Sequence, residues 1–183
     1  MRVIGGISRS IKLKSPAGKE TRPTSDRVRE ALFNIIGQDV NNALFVDGFA
    51  GSGAVGVEAL SRGARHCIFI EKRAHCVKII KENLQQTNFA EKAEIIKTDI
   101  FAGFKHFKKK CNPADFIFLD PPYGSSRLTL KLIELIVSQK LIAEKGVVIV
   151  EHSKEEDFED IEKWAHVNTR YYGNTAISFL KEL

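Results

Sequence analysis

Asp120-Pro121-Pro122-Tyr123 places a carboxylate, two stiffened backbone positions and an aromatic ring directly after the apolar run Phe116 to Leu119. Together these groups suit the exocyclic amine of a nucleobase. Such an amine is a poor nucleophile because its lone pair is delocalised into the ring. A catalyst therefore has to hold both N–H groups with acceptors, so that the lone pair points at an electrophilic methyl in line with its leaving sulfur. The Asp120 carboxylate can be one acceptor and the Pro121 carbonyl the other, since consecutive prolines restrict the chain that carries it. Tyr123 offers a face on which a splayed base stacks, worth ~1–3 kcal/mol in single-strand binders. A strand-ending turn would account for the prolines. It would not account for an acid and an aromatic in step with three earlier acid-ended apolar runs.

Those runs end in Asp47, Glu71 and Asp99. After Asp47 the chain passes through Gly51, Gly53 and Gly56 into a helix-period segment containing Val57 and Leu60, the pattern of strand, tight turn and helix start with its unpaired N–H groups. Glu71 lies 20 residues beyond Gly51, where α/β nucleotide sites place an acid on ribose hydroxyls. Ligands of open α/β sheets sit outside the carboxyl ends of the strands, so the four acids are expected to line one crevice. The methyl donor that fits is S-adenosylmethionine. Its ribose hydroxyls suit Glu71, its adenine amine suits Asp99, and its methionine end belongs beside Asp47 and the glycine turn. The same glycines with Glu71 also suit a nicotinamide dinucleotide, so a hydride-transferring enzyme stays open at this point.

Composition narrows the setting. With 183 residues, 43% of them apolar, the chain is expected to form a single domain, residues 1–24 being a basic hairpin and loop extension and 25–183 the catalytic core. No run approaches the ~18 apolar residues of a membrane span, and Met1 to Ser10 lacks the apolar stretch of a signal peptide, so residence in the cytoplasm is expected. Cys67, Cys76 and Cys111 have no metal-type spacing and read as reduced, structural thiols. No metal site is expected among them or among His66, His75, His106 and His166, and His152 reads as structural. The charge is unevenly spread: residues 1–29 hold eight Lys/Arg against two acids, net +6, leaving 20 basic and 21 acidic residues, net −1, in the rest. A basic segment beside an acid-lined crevice points to a polyanionic substrate, above all nucleic acid.

The elements follow from periodicity. Residues 1–15 suggest a small hairpin with Arg and Lys outward, and 16–25 a loop whose Arg22-Pro23-Thr24 could reach over the crevice. A helix from Asp26 to Ile36, capped by Thr24 or Ser25, should pack on the sheet through Val28, Ala31, Leu32, Ile35 and Ile36. Strands are then expected at 43–49, 66–72, 93–99, 114–120 and 146–152, with helices at 53–62, 74–87 and 127–140. Residues 101–113 are left unassigned, although they contain Phe104, Phe107 and Lys108 to Lys110. The acidic stretch Glu155 to Glu162 should face away from a polyanion. A closing hairpin is expected around Gly173-Asn174. The predicted fold is α/β: a mostly parallel sheet with an antiparallel C-terminal hairpin and a small basic N-terminal β-hairpin, an ending that resembles the seven-stranded sheet of the class I, Rossmann-like methyltransferase fold.

Three stretches carry a closer likeness: RPTSDRVREALFNIIG (22–37), DGFAGSGAVGVEALSRGA (47–64) and DPPYG (120–124). Through them the whole chain resembles the RsmD-like bacterial 16S ribosomal RNA guanine-N2 methyltransferases. The resemblance implies S-adenosylmethionine as cofactor, methyl transfer to the N2 of a guanine in 16S rRNA within a small-subunit particle or assembly intermediate, and a hairpin that engages RNA. It implies that Asp47, Phe49, Gly51, Gly53 and Glu71 bind cofactor with Asp99 at the adenine, and that Asp120, Pro121 and Tyr123 hold the guanine. Gly48 departs from the family, which usually has a larger apolar residue there, and is expected to loosen the strand end. The nearest alternative is a DNA adenine-N6 methyltransferase, which shares the D-P-P-Y geometry but usually carries an added recognition domain. An NAD-dependent oxidoreductase and a non-catalytic RNA-binding module are the remaining readings.

Overall fold

A computed structural model describes residues 1–16, 26–122, 124–156 and 164–182. The expected lid Arg22-Pro23-Thr24, the Thr24 or Ser25 cap, Tyr123 and most of the acidic stretch after Glu156 lie outside the described residues.

Five apolar runs form the parallel part of one sheet: β1 (Leu44–Gly48), β2 (His66–Ile70), β3 (Ala93–Ile96), β4 (Ala114–Leu119) and β5 (Ile142–Ser153). The chain closes with β6 (Trp164–Tyr172) and β7 (Thr175–Glu182), joined at Gly173-Asn174 as expected. The order is β3-β2-β1-β4-β5-β7-β6, with β7 antiparallel to both β5 and β6. β1 is buried along its whole length, as a central strand covered on both faces must be.

The two faces have separate covers. Phe45, Phe69, Phe116, Phe118, Ile149 and Ile177 point to one side. There they meet α1 (Asp26–Ile36), α2 (Ala54–Ser61) and α3 (Ala74–Gln86). Val46, Ile70, Ile117, Leu119, Val148 and Val150 point to the other, against α4 (Ile100–Lys110) and α5 (Ser126–Ser138). This is the doubly wound arrangement that alternating β and α elements require.

Two expectations change. The buried stripe of α1 is Val28, Arg29, Leu32, Phe33 and Ile36, while Ile35 is 39% exposed. The Phe33 ring decides the rotation by stacking on Phe45 (6.1 Å between centroids), which in turn stacks on Phe116 (6.2 Å), and such rings carry the largest apolar area available. The unassigned residues 101–113 are mostly α4, whose buried face is Ile100, Phe104 and Phe107 at helical spacing and whose last turn holds Lys108 to Lys110, where cations favour the helix dipole.

The N-terminal residues form the expected hairpin, with Arg2 bridged antiparallel to Lys12, and it is bolted along α2. Glu58, buried in α2, accepts from the N–H groups of Ile4 and Gly5, each at 2.8 Å, and pairs with Arg62 and Arg29. Ser61 accepts from Ser8 N–H and donates to the Gly5 carbonyl. A Cβ on Gly6 would lie 1.9 Å from the Ser61 carbonyl oxygen, so only glycine allows the loop to come this close. At the other end, Asn83 accepts from Lys14 N–H and donates to the carbonyls of Lys14 and Ser52, tying the hairpin to the glycine turn. Arg2, Arg9, Lys12 and Lys14 remain exposed.

Candidate active site

Strand pairing alone brings the acids together. Gly48 pairs with Ile70 and Leu119, and Leu119 pairs with Val150. One step further along each strand are Glu71, Asp120 and Glu151, with Asp47 just behind on β1. Because side chains alternate along a strand, these acids share the face of Phe69, Phe118, Ile149 and Phe45, the side covered by α1 to α3. The row straddles β1 and β4, where the strand order reverses and α/β sheets open a ligand crevice.

The glycine turn closes over one end of the row. Gly51 (φ +56°) and Gly53 (φ +75°) adopt the left-handed conformation that favours glycine. A Cβ on Gly51 would meet nothing nearer than the Phe49 carbonyl oxygen at 3.8 Å, leaving backbone open to a ligand. Asp47 accepts from Gly56 N–H at 2.9 Å, Glu71 from Gly51 N–H at 2.8 Å and from Arg73 N–H at 2.8 Å. Both carboxylates thus pin the first turn of α2 and its lead-in. Phe49 takes a left-handed φ of 62° and packs, half-buried, towards the α4 and α5 side. Gly48 is not loose: a Cβ there would lie 2.9 Å from Leu119 Cδ2 and 3.2 Å from Ile100 Cδ1, so its neighbours have closed in.

The other expected residues are placed as follows. Asp99 is exposed beyond β3 and caps α4, its Oδ1 accepting from Phe101 N–H (3.0 Å) and Ala102 N–H (3.1 Å), which leaves Oδ2 for a ligand. Asp120 follows β4 directly, and Pro121 after it is buried. His152 is structural as expected: Nδ1 lies 2.8 Å from the Ser153 carbonyl and Nε2 2.8 Å from Ser178 Oγ, which is 2.7 Å from Thr169 Oγ1. Glu156 does not face away from the site. Its carboxylate accepts from Gly124 N–H and Ser126 Oγ–H, fastening the far end of the D-P-P-Y loop. Glu151 is the member of the row that was not expected, although its signal is the same: it is the acid that ends a fifth apolar run, beside the more conspicuous His152. Among the described residues no group of three or more His, Cys, Asp or Glu could hold a metal ion, and no helix is long and apolar enough to cross a membrane.

Crowding of carboxyls in a buried place has electrostatic consequences. Burial pushes the Asp47 carboxyl up to about 8; the Gly56 N–H opposes this and the Glu71 charge adds to it. Asp120 is raised well above its ordinary value by burial, then by the charge of Glu151 and then by that of Asp47. For Glu71 burial is again the largest single influence and raises its value. The hydrogen bonds from Arg73 and Gly51 and the Arg73 charge together outweigh it, so Glu71 stays ionised below its ordinary range. A row with more acids than bases stabilises a cation placed beside it, and the cation in turn favours the ionised carboxylates. The donor set therefore fits a ligand that carries positive charge and hydroxyl groups.

Known proteins agree with this architecture. The ribosomal RNA small subunit methyltransferase D of Escherichia coli K12 is 37% identical over 156 residues, covering 85% of this chain and 76% of its own. The protein of that name from Haemophilus influenzae is 32% identical over 174 residues, covering 94% and 89%. The structure of yhhF from Escherichia coli superposes with a TM-score of 0.85 at 32% identity, over 100% of this chain and 97% of that one. The fold is that of class I methyltransferases. With a family model matching residues 1–181, the chain belongs to the family described as conserved hypothetical protein 95.

Proposed function

We propose that this chain is an S-adenosylmethionine-dependent methyltransferase that modifies the N2 of a guanine in 16S ribosomal RNA, within a small-subunit particle or assembly intermediate in the cytoplasm, working as a single domain. The observation that carries the reading is the position of Asp120: an acid at the end of β4, at the switch point of the sheet, followed at once by the buried Pro121. When bound, S-adenosylmethionine supplies an electrophilic methyl on a sulfonium. Glu71 would take its ribose hydroxyls, Asp99 its adenine amine, and Asp47 with Gly51 and Gly53 its methionine end, with Phe49 against the cofactor.

The chain's own work is then to position the amine. Asp120 accepts from one N–H of the guanine amine and the Pro121 carbonyl from the other, turning the lone pair out of the base plane. Tyr123 is assigned the stacking face on the strength of the motif alone. Glu156 fixes Gly124 and Ser126 just beyond it, which fastens the chain on the far side of the motif. The exposed Arg2, Arg9, Lys12 and Lys14 of the hairpin supply phosphate contacts. The relatives whose names specify the small ribosomal subunit support this choice of substrate.

Incubation with labelled donor and undermethylated small-subunit particles is expected to label one guanine, with D120A abolishing the label and binding S-adenosylhomocysteine nearly as well as the native chain. Label on duplex DNA alone would replace the reading with adenine methylation. Thermal stabilisation by NAD and none by S-adenosylhomocysteine would replace it with hydride transfer.

A further inference from the structure

Ser52 stands between two glycines whose backbone is left-handed, Gly51 (φ +56°) and Gly53 (φ +75°). Glycine makes such a turn possible without choosing how its peptide groups face, since it visits positive and negative φ about equally. The choice has to come from hydrogen bonds. Glu71 takes Gly51 N–H at 2.8 Å, and the Ala50 carbonyl takes Gly53 N–H at 2.7 Å. The Ser52 carbonyl is held from α3, by Asn83 Nδ2 at 2.9 Å. Asn83 is 0% exposed, and both ends of its amide are engaged. Oδ1 accepts from Lys14 N–H at 2.8 Å, while Nδ2 donates to the Lys14 carbonyl at 3.0 Å as well as to Ser52. Two contacts with the backbone of one residue fix the rotation of the amide. A reversed amide would set Oδ1 against two carbonyl oxygens, so the remaining N–H of Nδ2 is aimed at Ser52 by Lys14. Lys14 is anchored in turn through Nζ to Glu82 Oε2 at 2.9 Å. The turn is also pressed on α3: a Cβ on Gly53 would lie 3.2 Å from Ile80 Cγ1.

We propose that Asn83 is a positioning residue for the methyl donor, one that holds the Ser52–Gly53 peptide with its carbonyl turned to α3 and away from the donor's methionine end. The inference rests on the reading of the glycine turn as the seat of that methionine end. Once released, the carbonyl could swing towards the ligand by rotation about the flanking glycines. That would set an acceptor against the donor's carboxylate and break the Gly53 N–H bond that closes the turn. The hairpin thereby gains a task besides phosphate contacts. Its Lys14 backbone orients the amide, and the amide orients the turn.

The test uses the full chain in four forms: native, N83L, K14P and the double variant. Leucine keeps the size of the side chain without its amide, and proline removes the N–H that orients it. S-adenosylhomocysteine binding is followed by calorimetry, and turnover with small-subunit particles at varied S-adenosylmethionine. N83L is expected to bind S-adenosylhomocysteine about tenfold more weakly, the effect of one lost buried hydrogen bond. The KM for the donor should rise by a similar factor, with kcat and the KM for particles within about twofold of native. K14P should weaken S-adenosylhomocysteine binding about threefold, and the double variant should bind no more weakly than N83L, because Lys14 acts through the amide. A merely structural role would lower kcat with the folded fraction and leave the donor KM in place, and independent contributions would multiply to about thirtyfold. Either result, or native affinity in N83L, would overturn this inference and leave the methyltransferase reading standing. A native chain that fails to bind S-adenosylhomocysteine would overturn both. Should N83L fail to fold, K14P decides: weakened S-adenosylhomocysteine binding supports the proposal, and native affinity refutes it.

Discussion

Replacing Asp47 by asparagine is expected to stabilise the cofactor-free protein at neutral and alkaline pH while leaving it nearly unchanged in acid. Asp47 is 2% exposed, and its carboxyl is raised from 3.8 to about 8. A carboxyl raised on folding contributes most below its unfolded value, where both states are protonated. It loses that contribution as pH rises from about 4 to about 8, because only the unfolded chain ionises freely there. At about 1.4 kcal/mol per unit, the rise amounts to about 6 kcal/mol as a ceiling. Water drawn in around the ionised group relieves part of this, so a net effect of about 3 kcal/mol is the working figure. Asparagine keeps an oxygen for the 2.9 Å bond from Gly56 N–H and carries no charge. For a chain of this length the gain corresponds to about 6–12 °C in Tm. Thermal unfolding of both proteins across pH 4 to 8.5 should give curves that coincide at the acid end and separate steadily above pH 5. A difference that is flat with pH would refute the claim that burial of this carboxyl is a stability cost. The same variant should bind S-adenosylhomocysteine about tenfold more weakly, since the missing charge would have faced its ammonium group.

G56A should lower Tm. The added Cβ would lie 2.3 Å from Phe69 Cε1 and 2.6 Å from Cys67 Sγ, and an overpacking cost of about 1–3 kcal/mol exceeds the up to ~1 kcal/mol that alanine adds to helix propensity; a variant as stable as the native chain would mean that α2 has room to retreat from β2. E58Q should cost about 2–3 kcal/mol in a urea titration, because it neutralises the buried one of the two carboxylates that pair with the fully buried Arg29, the other being Asp26, and should speed proteolysis within residues 1–14. Reversing two exposed hairpin charges in R9E/K12E should weaken particle binding, reduce the slope of log K against log salt by about 2 and leave S-adenosylhomocysteine binding unchanged; an unaltered slope would remove the hairpin from the RNA interface.

The parts of the molecule fixed by local pattern could be read from the residues in order. Apolar runs of strand length, helical spacing between them and Gly173-Asn174 at the final turn led to the sheet and its closing hairpin, and the acid at each strand end led to the crevice. What escaped was set by pairs of residues distant in the chain. Arg29 reads as a surface residue of α1 until Glu58, 29 residues later, is known to be buried beside it. Ile35 reads as core until the Phe33 ring finds Phe45. Residues 101–113 are the local exception: Asp99 reads as a strand-end acid, although it also caps the helix that begins at Ile100. Glu151 obeyed the same rule as Asp47 and Asp120, but its importance depends on β5 lying next to β4, which follows from the sheet order and not from the order of the chain.

The anchoring of the hairpin has a consequence for the charge pattern. Its loop sits on Ser61 at the last turn of α2, whereas the glycine turn stands at the first. Those ends are separated by seven residues, about 10 Å at the helical rise. Glu58, Ser61 and Asn83 hold the hairpin along that length through backbone and side-chain bonds, so Arg9 and Lys12 stay with the outer surface. A freely swinging basic arm beside a row of buried acids would fold into it, neutralising the charges that a cationic ligand needs and consuming those that a polyanion needs. Fixing the cations to α2 keeps the two signs apart: the acids remain available to a small cation inside the crevice, and the arginines and lysines to phosphates outside it. Loss of the Glu58 clamp should therefore damage both kinds of binding, although Glu58 need touch neither ligand.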